Sequence, residues 1–218
     1  SKIVSGTTQI TRSPDKLLIA EYAARFVRES GIMKDGFSFQ AGAGGTSLAF
    51  TIYLSEMMRE SKTKARFIRG GSTKYLVQML EEGLTDYILD GQSFDLDGVR
   101  SLRDNPRHIA TSPFTSYNYH GKGNFASILD CVVLGATEID VDFNANVVSH
   151  SDGYMLHGIG GWQDALFSPC TILAAPHPAI RPKRPADWNI PDDDWGHITR
   201  QMRNTTMSDD ELLASKHP

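Results

Sequence analysis

One glutamate interrupts a long β-prone stretch of the chain, VVLGATEIDVDFNANV at residues 132–147. Glu138 stands where a buried strand would normally carry an apolar residue, and Asp140 and Asp142 follow it at intervals of two. Because successive side chains of a strand point to opposite faces, this spacing predicts that the three acids share one face. A row of acids is typical of a solvated strand face, whereas a carboxylate beside backbone N–H donors can attack an acyl carbon. The residues alone leave both interpretations open.

Two glycine-rich turns, QAGAGGTSLAF and HGIGGWQDALFS, flank this stretch in the sequence. Their candidate glycines are Gly42, Gly44 and Gly45 in the first turn and Gly160 and Gly161 in the second. The first turn lies between a predicted strand and a predicted helix, where backbone N–H groups can receive a phosphate or the oxyanion of a tetrahedral intermediate. Either turn by itself is also compatible with a simple tight turn. Two such turns around an acid-bearing strand favour acyl transfer with a carboxylate nucleophile.

Four polar residues are candidates for hydrogen bonds behind the reacting groups. They are Gln40, Asn144, Asn146 and Asp164. The two asparagines are in phase with Glu138 along the predicted strand. Gln40 precedes the first glycine turn, and Asp164 follows the second.

Other motifs are weaker. The first glycine turn lacks the Lys-Ser/Thr ending of a nucleoside-triphosphate loop and the spacing of G-x-G-x-x-G, which disfavours both kinds of nucleotide site. A third glycine pair, in IRGGST at residues 68–73, is interpreted as a packing feature. Because His108, His120, His150 and His157 are scattered singly without metal-ligand spacing, no metal site is expected.

Composition excludes several classes of protein. The chain has 218 residues, 40% hydrophobic and 22% charged, which is ordinary for a globular protein of one or two domains. A net charge of −4 and a pI near 5.9 provide no basic field for nucleic acid or anionic lipid. No apolar run approaches the ~20 residues of a membrane span and no export signal is visible, so we expect a cytoplasmic protein. Cys131 and Cys170 are expected to be a reduced, buried pair, with a disulfide as the alternative.

Strand-like and helix-like segments alternate along most of the chain. Ser13 and Pro14 form a helix start, with a capping hydroxyl and a proline at the first helical position, and Gly31 follows the expected end of that helix. Further helices are predicted at 46–61, 73–83 and 94–105, and strands at 36–45 (running into the glycine turn), 65–71, 86–91, 127–148 (two strands with a turn near residue 135) and 168–176. This alternation predicts an α/β fold with an open, mostly parallel sheet flanked by helices.

Residues 177–218 differ in composition from the rest. Pro178, Pro182, Pro185 and Pro191 interrupt any regular element, and no periodicity is sustained. We expect an extended, partly disordered tail, with a packed subdomain as the alternative.

Five segments closely resemble the alpha subunit of citrate lyase, which belongs to the coenzyme A transferase superfamily. They are FQAGAGGTSLAF, RFIRGGSTKYLVQMLEEGL, DGQSFDLDGVRSL, NPRHIATSPFTSYNYHGKGNFASILDCVVLGATEIDVDFNANVVSHSDG and HGIGGWQDALFSPCTILAAP. The resemblance covers about residues 3–176, and GATEIDVDFNANV and GIGGWQD are its most specific parts. It implies a coenzyme A transferase type of fold, with the second transferase-like domain over residues 1–176 and a divergent tail over 177–218.

In that family a glutamate attacks an acyl thioester and passes through a mixed anhydride and a glutamyl thioester. The resemblance implies that Glu138 is this nucleophile, that Gly160 and Gly161 line the acyl site, and that the first turn with Gln40 binds the thioester-bearing group. The implied reaction exchanges acetate for citrate on an acyl carrier protein. The implied partners are the acyl carrier (gamma) subunit, whose arm is a dephospho-coenzyme A derivative, and the citryl-cleaving beta subunit. The resemblance implies an oligomeric complex and no cofactor held by this chain itself.

Family members have a preceding transferase-like domain and continue with further strands after CTILAAP. The resemblance therefore implies a chain that is incomplete at both ends, and we expect an altered reading frame downstream of Pro176 as the source of the tail. Two alternatives to the carrier-linked transferase remain. One is a coenzyme A transferase or acyl-coenzyme A hydrolase that uses free thioesters, and the other is a fragment without enzymatic activity.

Overall fold

The computed structural model describes residues 9–112, 115, 124–136, 138–140, 145–148, 161–162, 168–175 and 180–181. The α-helices in these residues are α1 (Pro14–Glu29), α2 (Gly45–Ser61), α3 (Lys74–Glu81) and α4 (Leu96–Asp104). The strands are β1 (Ser38–Ala41), β2 (Phe67–Ser72), β3 (Ile88–Ser93), β4 (His108–Ala110), β5 (Cys131–Gly135), β6 (Glu138–Asp140), β7 (Ala145–Asn146), β8 (Cys170–Ala174) and β9 (Ile180–Arg181).

Six of the strands form one sheet in the order β4-β3-β2-β1-β5-β8. Every neighbouring pair in this sheet is parallel. The chain runs from β1 outward to β4 and then returns to place β5 on the other side of β1. The predicted α/β fold with a mostly parallel sheet flanked by helices is confirmed.

The first helix begins and ends where the sequence predicts. Ser13 is the N-cap residue and Pro14 occupies the first helical position, where its fixed φ suits the helix. Among the described residues, however, the Ser13 hydroxyl makes no capping bond, and the Ser13 N–H donates to Thr11 Oγ1 at 3.2 Å. Gly31 has a φ of +79°, a left-handed conformation that ends the helix at no steric cost to glycine.

Alternate residues of the central strands divide between two hydrophobic clusters, as strand geometry requires. Phe39 and Val133 belong to the larger cluster, which includes residues of α1, α2 and α3. Phe67 and Val132 belong to the smaller cluster, which includes Trp162. All four residues of β1 are buried, which is typical of a parallel strand covered on both faces.

The acid-bearing stretch is divided between two sheets, which corrects the prediction of two strands with a single turn. β5 belongs to the parallel sheet, whereas β6 lies in a small second sheet between β7 and β9. β6 and β7 are antiparallel, and their register pairs Glu138 with Asn146 and Ile139 with Ala145. Asn146 is therefore the cross-strand partner of Glu138 and does not follow it along one strand, because the chain reverses direction between β6 and β7.

The elements that the sequence patterns do not predict are short strands. β4 has three residues and shows neither alternation nor an apolar run of useful length. β9 lies in the predicted tail and pairs in parallel with β6. Residues 177–179 and 182–218 lie outside the described residues, so the domain boundary at residue 176 stays a prediction.

The two cysteines face each other across neighbouring strands. Cys131 and Cys170 are register partners in β5 and β8, and both are free thiols. Cys131 is buried and Cys170 is half-buried. Burial, together with the neighbouring Cys170, raises the pKa of the Cys131 thiol. The structure places the two thiols side by side, as predicted, but only Cys131 is fully buried, and the redox state of the pair stays a prediction.

Candidate functional site

The strand order of the sheet reverses between β1 and β5, and the predicted functional segments meet at this reversal. In open parallel sheets, ligands bind outside the carboxyl ends of the strands at such a point. The first glycine turn follows the end of β1, and Glu138 comes three residues after Gly135, the last residue of β5. Two segments that are far apart in the sequence therefore leave the same edge of the sheet from adjacent strands.

The first glycine turn forms the amino terminus of α2, with Gly44 as the N-cap residue. The N–H groups in the first turn of a helix have no partner within the helix, and the helix dipole adds positive potential there. Gly42 has a different role, since its N–H donates to the Val133 carbonyl at 3.0 Å and extends the pairing of β1 with β5. We therefore assign any anion-binding capacity of this turn to the start of α2.

Two glycines of this turn differ in what surrounds them. A β-carbon added at Gly45 would lie 2.9 Å from the backbone nitrogen of Thr11, so the chain preceding α1 leaves room only for glycine. A β-carbon at Gly44 would meet no described atom within 4 Å. The turn is thus closed at Gly45 by the chain and open at Gly44.

Gln40 directly precedes the first glycine turn and contacts the second turn at Gly161, which lies 121 residues later in the sequence. Its side chain in β1 is 2% exposed, and its Nε2 donates to the carbonyl of Gly161 at 3.3 Å. A β-carbon on Gly161 would overlap this Nε2 atom, so the close approach requires glycine. The structure therefore brings together two residues that the sequence predicts to belong to one site.

Arg69 is a candidate that the sequence interpretation of IRGGST as a packing feature misses. It lies in β2 in register with Gln40, is 1% exposed, and donates from Nη1 to Gln40 Oε1 at 3.1 Å. A buried guanidinium stays charged, so its burial is costly unless its donors are bonded. The signal that points to it is an arginine inside a strand, FIRGG, that is otherwise typical of a buried parallel sheet.

The packing interpretation holds for the glycine that follows. A β-carbon on Gly71 would overlap the ring of Phe94. Between Gly70 and Gly71 the register of β2 against β3 shifts, and Gly70 has a φ of +119° that favours glycine. The glycine pair thus shapes the carboxyl end of β2.

A second buried polar cluster lies at the carboxyl ends of β2 and β3. Asp90 is 3% exposed and accepts hydrogen bonds from the hydroxyls of Ser72 (2.9 Å) and Ser93 (2.6 Å). His108 Nε2 lies 3.3 Å from Asp90 Oδ2, and His108 Nδ1 lies 2.9 Å from Ser101 Oγ. Burial alone would raise the pKa of Asp90. The contacts from His108, Ser93, Ser72 and a backbone N–H outweigh burial and hold the pKa below its ordinary value.

The remaining predicted site residues divide into two groups. Gly160, Asn144 and Asp164 lie outside the described residues, so their roles stay predictions. Glu138 and Asn146 are placed by the backbone of β6 and β7, and their roles in catalysis also stay predictions.

Within the described part of the chain, no three His, Cys, Asp or Glu side chains come together in a way that could hold a metal ion. No helix in that part combines the length and the apolar character needed to cross a membrane.

The parallel sheet, its reversal beside β1 and the glycine turn that follows define an open parallel α/β domain with helices beside the sheet. RipA from Yersinia pestis shares the architecture with a TM-score of 0.53 at 13% identity, over 86% of this chain and 42% of that one. At this identity the likeness shows the fold alone.

The family follows from closer matches. The profile of the family described as citrate lyase, alpha subunit (CitF), matches residues 1–186. The chain is 44% identical over 177 residues to the citrate lyase alpha chain of Escherichia coli K12, covering 81% of this chain and 35% of that protein. It is 43% identical over 176 residues to the citrate lyase alpha chain of Klebsiella pneumoniae, covering 80% and 35%. This chain belongs to the citrate lyase alpha subunit family.

A solved structure agrees with this assignment. The alpha subunit of citrate lyase from Streptococcus mutans, in complex with citrate, matches with a TM-score of 0.73 and 41% identity, over 77% of this chain and 33% of that one. The chain spans about a third of the length of the curated relatives it matches.

Proposed function

We propose that this chain carries the nucleophile of a citrate:acetyl-acyl-carrier-protein transferase, and that the nucleophile is Glu138. The observation that carries the proposal is the placement of the Glu138 strand and the first glycine turn at one strand reversal, in a chain of the citrate lyase alpha subunit family. The Streptococcus mutans relative was solved in complex with citrate, which supports citrate as the incoming carboxylate that takes over the carrier thiol.

In the first half of the reaction, acetate leaves the carrier. The ionised carboxylate of Glu138 attacks the carbonyl carbon of the acetyl thioester, and the adduct expels the carrier thiolate to leave an acetyl–glutamyl anhydride. The thiolate then attacks the Glu138 carbonyl and expels acetate, which gives a glutamyl thioester. A carboxylate and a thiolate have exchanged places, and no electron has been transferred.

In the second half, citrate takes the place of acetate. A citrate carboxylate attacks the glutamyl thioester and expels the thiolate, which leaves a citryl–glutamyl anhydride. The thiolate attacks the citryl carbonyl, yielding the citryl thioester and restoring the Glu138 carboxylate. Glu138 is the covalent catalyst in both halves, so the whole exchange of acetate for citrate requires no metal on chemical grounds.

The glycine turns serve the tetrahedral adducts that form in each step. Every adduct places a negative charge on the former carbonyl oxygen, and preorganised backbone N–H groups stabilise such a charge in a site that excludes water. The start of α2 at Gly44 and Gly45 supplies N–H groups and a favourable helix dipole. These groups lie at the carboxyl edge of the parallel sheet, where the chain also leaves β5 toward Glu138. Gly160 and Gly161 supply the second set of donors.

The partners follow from the substrates. We propose that the thioester arrives on the acyl carrier subunit through an arm derived from dephospho-coenzyme A. We propose also that the citryl product passes to the citryl-cleaving beta subunit in a cytoplasmic citrate lyase complex. This chain binds the arm as a substrate and holds no resident cofactor.

Active-site trapping tests the proposal directly. The protein is incubated with the acetylated carrier or with acetyl-coenzyme A and treated with borohydride, and the peptide that contains Glu138 is read by mass spectrometry. A glutamyl thioester is reduced to an alcohol, so we expect a defined mass loss at Glu138. Two variants are matched controls: Glu138→Gln removes the nucleophile and abolishes the mass loss, and Asp140→Asn retains it.

Two outcomes contradict parts of the proposal. An unmodified Glu138 peptide from folded protein with the acetylated carrier would exclude this chain as the carrier of a competent nucleophile. Faster trapping with acetyl-coenzyme A than with the acetylated carrier would favour an enzyme of free thioesters.

A further inference from the structure

We propose that Arg69 is a positioning residue for the second glycine turn and that it acts through the side-chain amide of Gln40. The contacts among Arg69, Gln40 and Gly161, called the Arg69 relay below, stand on the geometry of the described residues. Their effect on reaction rate rests on the proposed function.

Arg69 determines which way the Gln40 amide faces. A guanidinium has hydrogen-bond donors and no acceptor, so it pairs only with the amide oxygen. Arg69 Nη1 donates to Gln40 Oε1 at 3.1 Å, and this leaves the amide nitrogen to donate to the Gly161 carbonyl at 3.3 Å. Both side chains are at most 2% exposed, so bulk water does not compete for either bond.

The relay in turn orients one peptide unit of the glycine turn. A trans peptide unit is planar, and its C=O and N–H point in opposite directions. Holding the Gly161 oxygen toward Gln40 therefore directs the N–H of Trp162 away from Gln40. The Trp162 side chain is 6% exposed and packs in the smaller hydrophobic cluster, which fixes the other end of this unit. The relay thus aims a backbone donor of the second turn.

Arginine suits this role better than lysine does. Its planar group holds a fixed geometry against the flat amide, whereas a lysine ammonium is a compact point charge on a flexible stem. Glutamate at position 40 would keep a partner for Arg69 but would set a carboxylate oxygen against the Gly161 carbonyl, where the amide now donates. Arg69→Lys and Gln40→Glu therefore disturb the orientation of the turn while keeping charge or shape.

A thermal double-variant cycle tests the relay without any assay of activity. In Gly161→Ala the new methyl group displaces the Gln40 amide from both of its partners, whereas in Gln40→Ala the space is already open. We expect Gly161→Ala to lower Tm in the wild-type background and to lower it by less than about half as much in the Gln40→Ala background. Equal losses in the two backgrounds would overturn the relay.

The Trp162 amide gives a local signature that a general loss of stability does not produce. In protein labelled with 15N-tryptophan, assigned through Trp162→Phe, we expect the Trp162 backbone resonance to shift in Arg69→Lys and in Gln40→Glu. Arg66→Lys is the matched control, because Arg66 lies three residues from Arg69 in sequence and its side chain is 46% exposed. An unmoved Trp162 resonance in Arg69→Lys would contradict the proposal.

The rate of trapping at Glu138 tests the functional consequence. A donor displaced by about 1 Å can lower a rate by up to roughly a hundredfold, so we expect Arg69→Lys to slow adduct formation by ten- to a hundredfold. Arg66→Lys should leave the rate unchanged, and a wild-type rate in Arg69→Lys would refute a positioning role in catalysis. If the wild-type protein forms no adduct, the proposed function fails, whereas the thermal cycle and the Trp162 resonance still decide the relay.

Discussion

At the scale of single residues, three buried polar side chains occupy adjacent strands in the middle of the parallel sheet. Gln40, Arg69 and Asp90 lie in adjacent strands and are at most 3% exposed. Each is costly to bury without partners, and each is hydrogen-bonded to other strands or turns. Apolar residues at such positions are often as stabilising as buried charges or more so. Stability alone therefore does not explain these polar side chains, and we interpret them as residues that fix the orientation of neighbouring groups.

Asp90 provides a test at this scale. Asp90→Asn removes the charge that His108, Ser72 and Ser93 surround, and we expect the free energy of unfolding at pH 7 to fall by about 2–4 kcal/mol. The measurement is urea unfolding. Asp97→Asn is the control, because the Asp97 side chain is 50% exposed in its contact with Arg100 and should change stability by less than about 0.5 kcal/mol.

We also expect the effect of Asp90→Asn on the free energy of unfolding to depend on pH. The folded-state pKa of Asp90 lies below its unfolded-state value of about 3.9, so the carboxylate stabilises the fold above that value. This contribution is lost as the pH falls through the folded-state pKa. The stability difference between wild type and Asp90→Asn should therefore shrink toward acid pH. A difference that stays constant down to pH 3 would show that the charge of Asp90 is not what stabilises the cluster.

At the scale of elements, the sequence is informative where the cause is local. The α1 boundaries follow from Pro14 and from the left-handed Gly31, and both are visible in the sequence. The first glycine turn could also be placed, because a predicted strand and a predicted helix flank it. The division of β5 from β6 could not be predicted, since it depends on which sheet accepts each strand. The Arg69 relay could not be predicted either, because its partners lie 29 and 121 residues apart.

The bulged end of β2 provides a test at the scale of elements. Gly71→Ala would drive a methyl group into the Phe94 ring, so we expect the free energy of unfolding to fall by about 1–3 kcal/mol through overpacking. Gly91→Ala is the matched control on the neighbouring strand, since its β-carbon would meet only a carbonyl oxygen at 3.7 Å. It should change stability by less than about 0.5 kcal/mol, and chemical denaturation measures both. Equal effects would mean that the Phe94 contact does not restrict position 71.

At the scale of the whole molecule, the two edges of the parallel sheet have different compositions. The carboxyl edge carries the first glycine turn, Gly161 of the second turn and the start of the Glu138 strand. At the amino edge, Asp130 Oδ2 accepts from the Ser38 N–H at 2.8 Å and from the Ser38 hydroxyl at 2.9 Å, and Arg66 Nη2 lies 3.2 Å away. This cluster joins the beginnings of β1, β2 and β5, and its bonds are directed within the fold.

This division predicts that substitutions at the amino edge change stability and leave the reaction rate unchanged, whereas substitutions of reacting groups at the carboxyl edge do the reverse. Asp130→Ala leaves the Ser38 N–H without its acceptor, so the free energy of unfolding should fall by about 1–3 kcal/mol. Below the unfolding transition, trapping at Glu138 should proceed at the wild-type rate. Glu138→Gln should show the reverse, with no trapping and a change in stability below about 1 kcal/mol, because an amide is of similar shape but is not a nucleophile. If Asp130→Ala slowed trapping in fully folded protein, the site would depend on the amino edge as well, and the separation along the strands would be wrong.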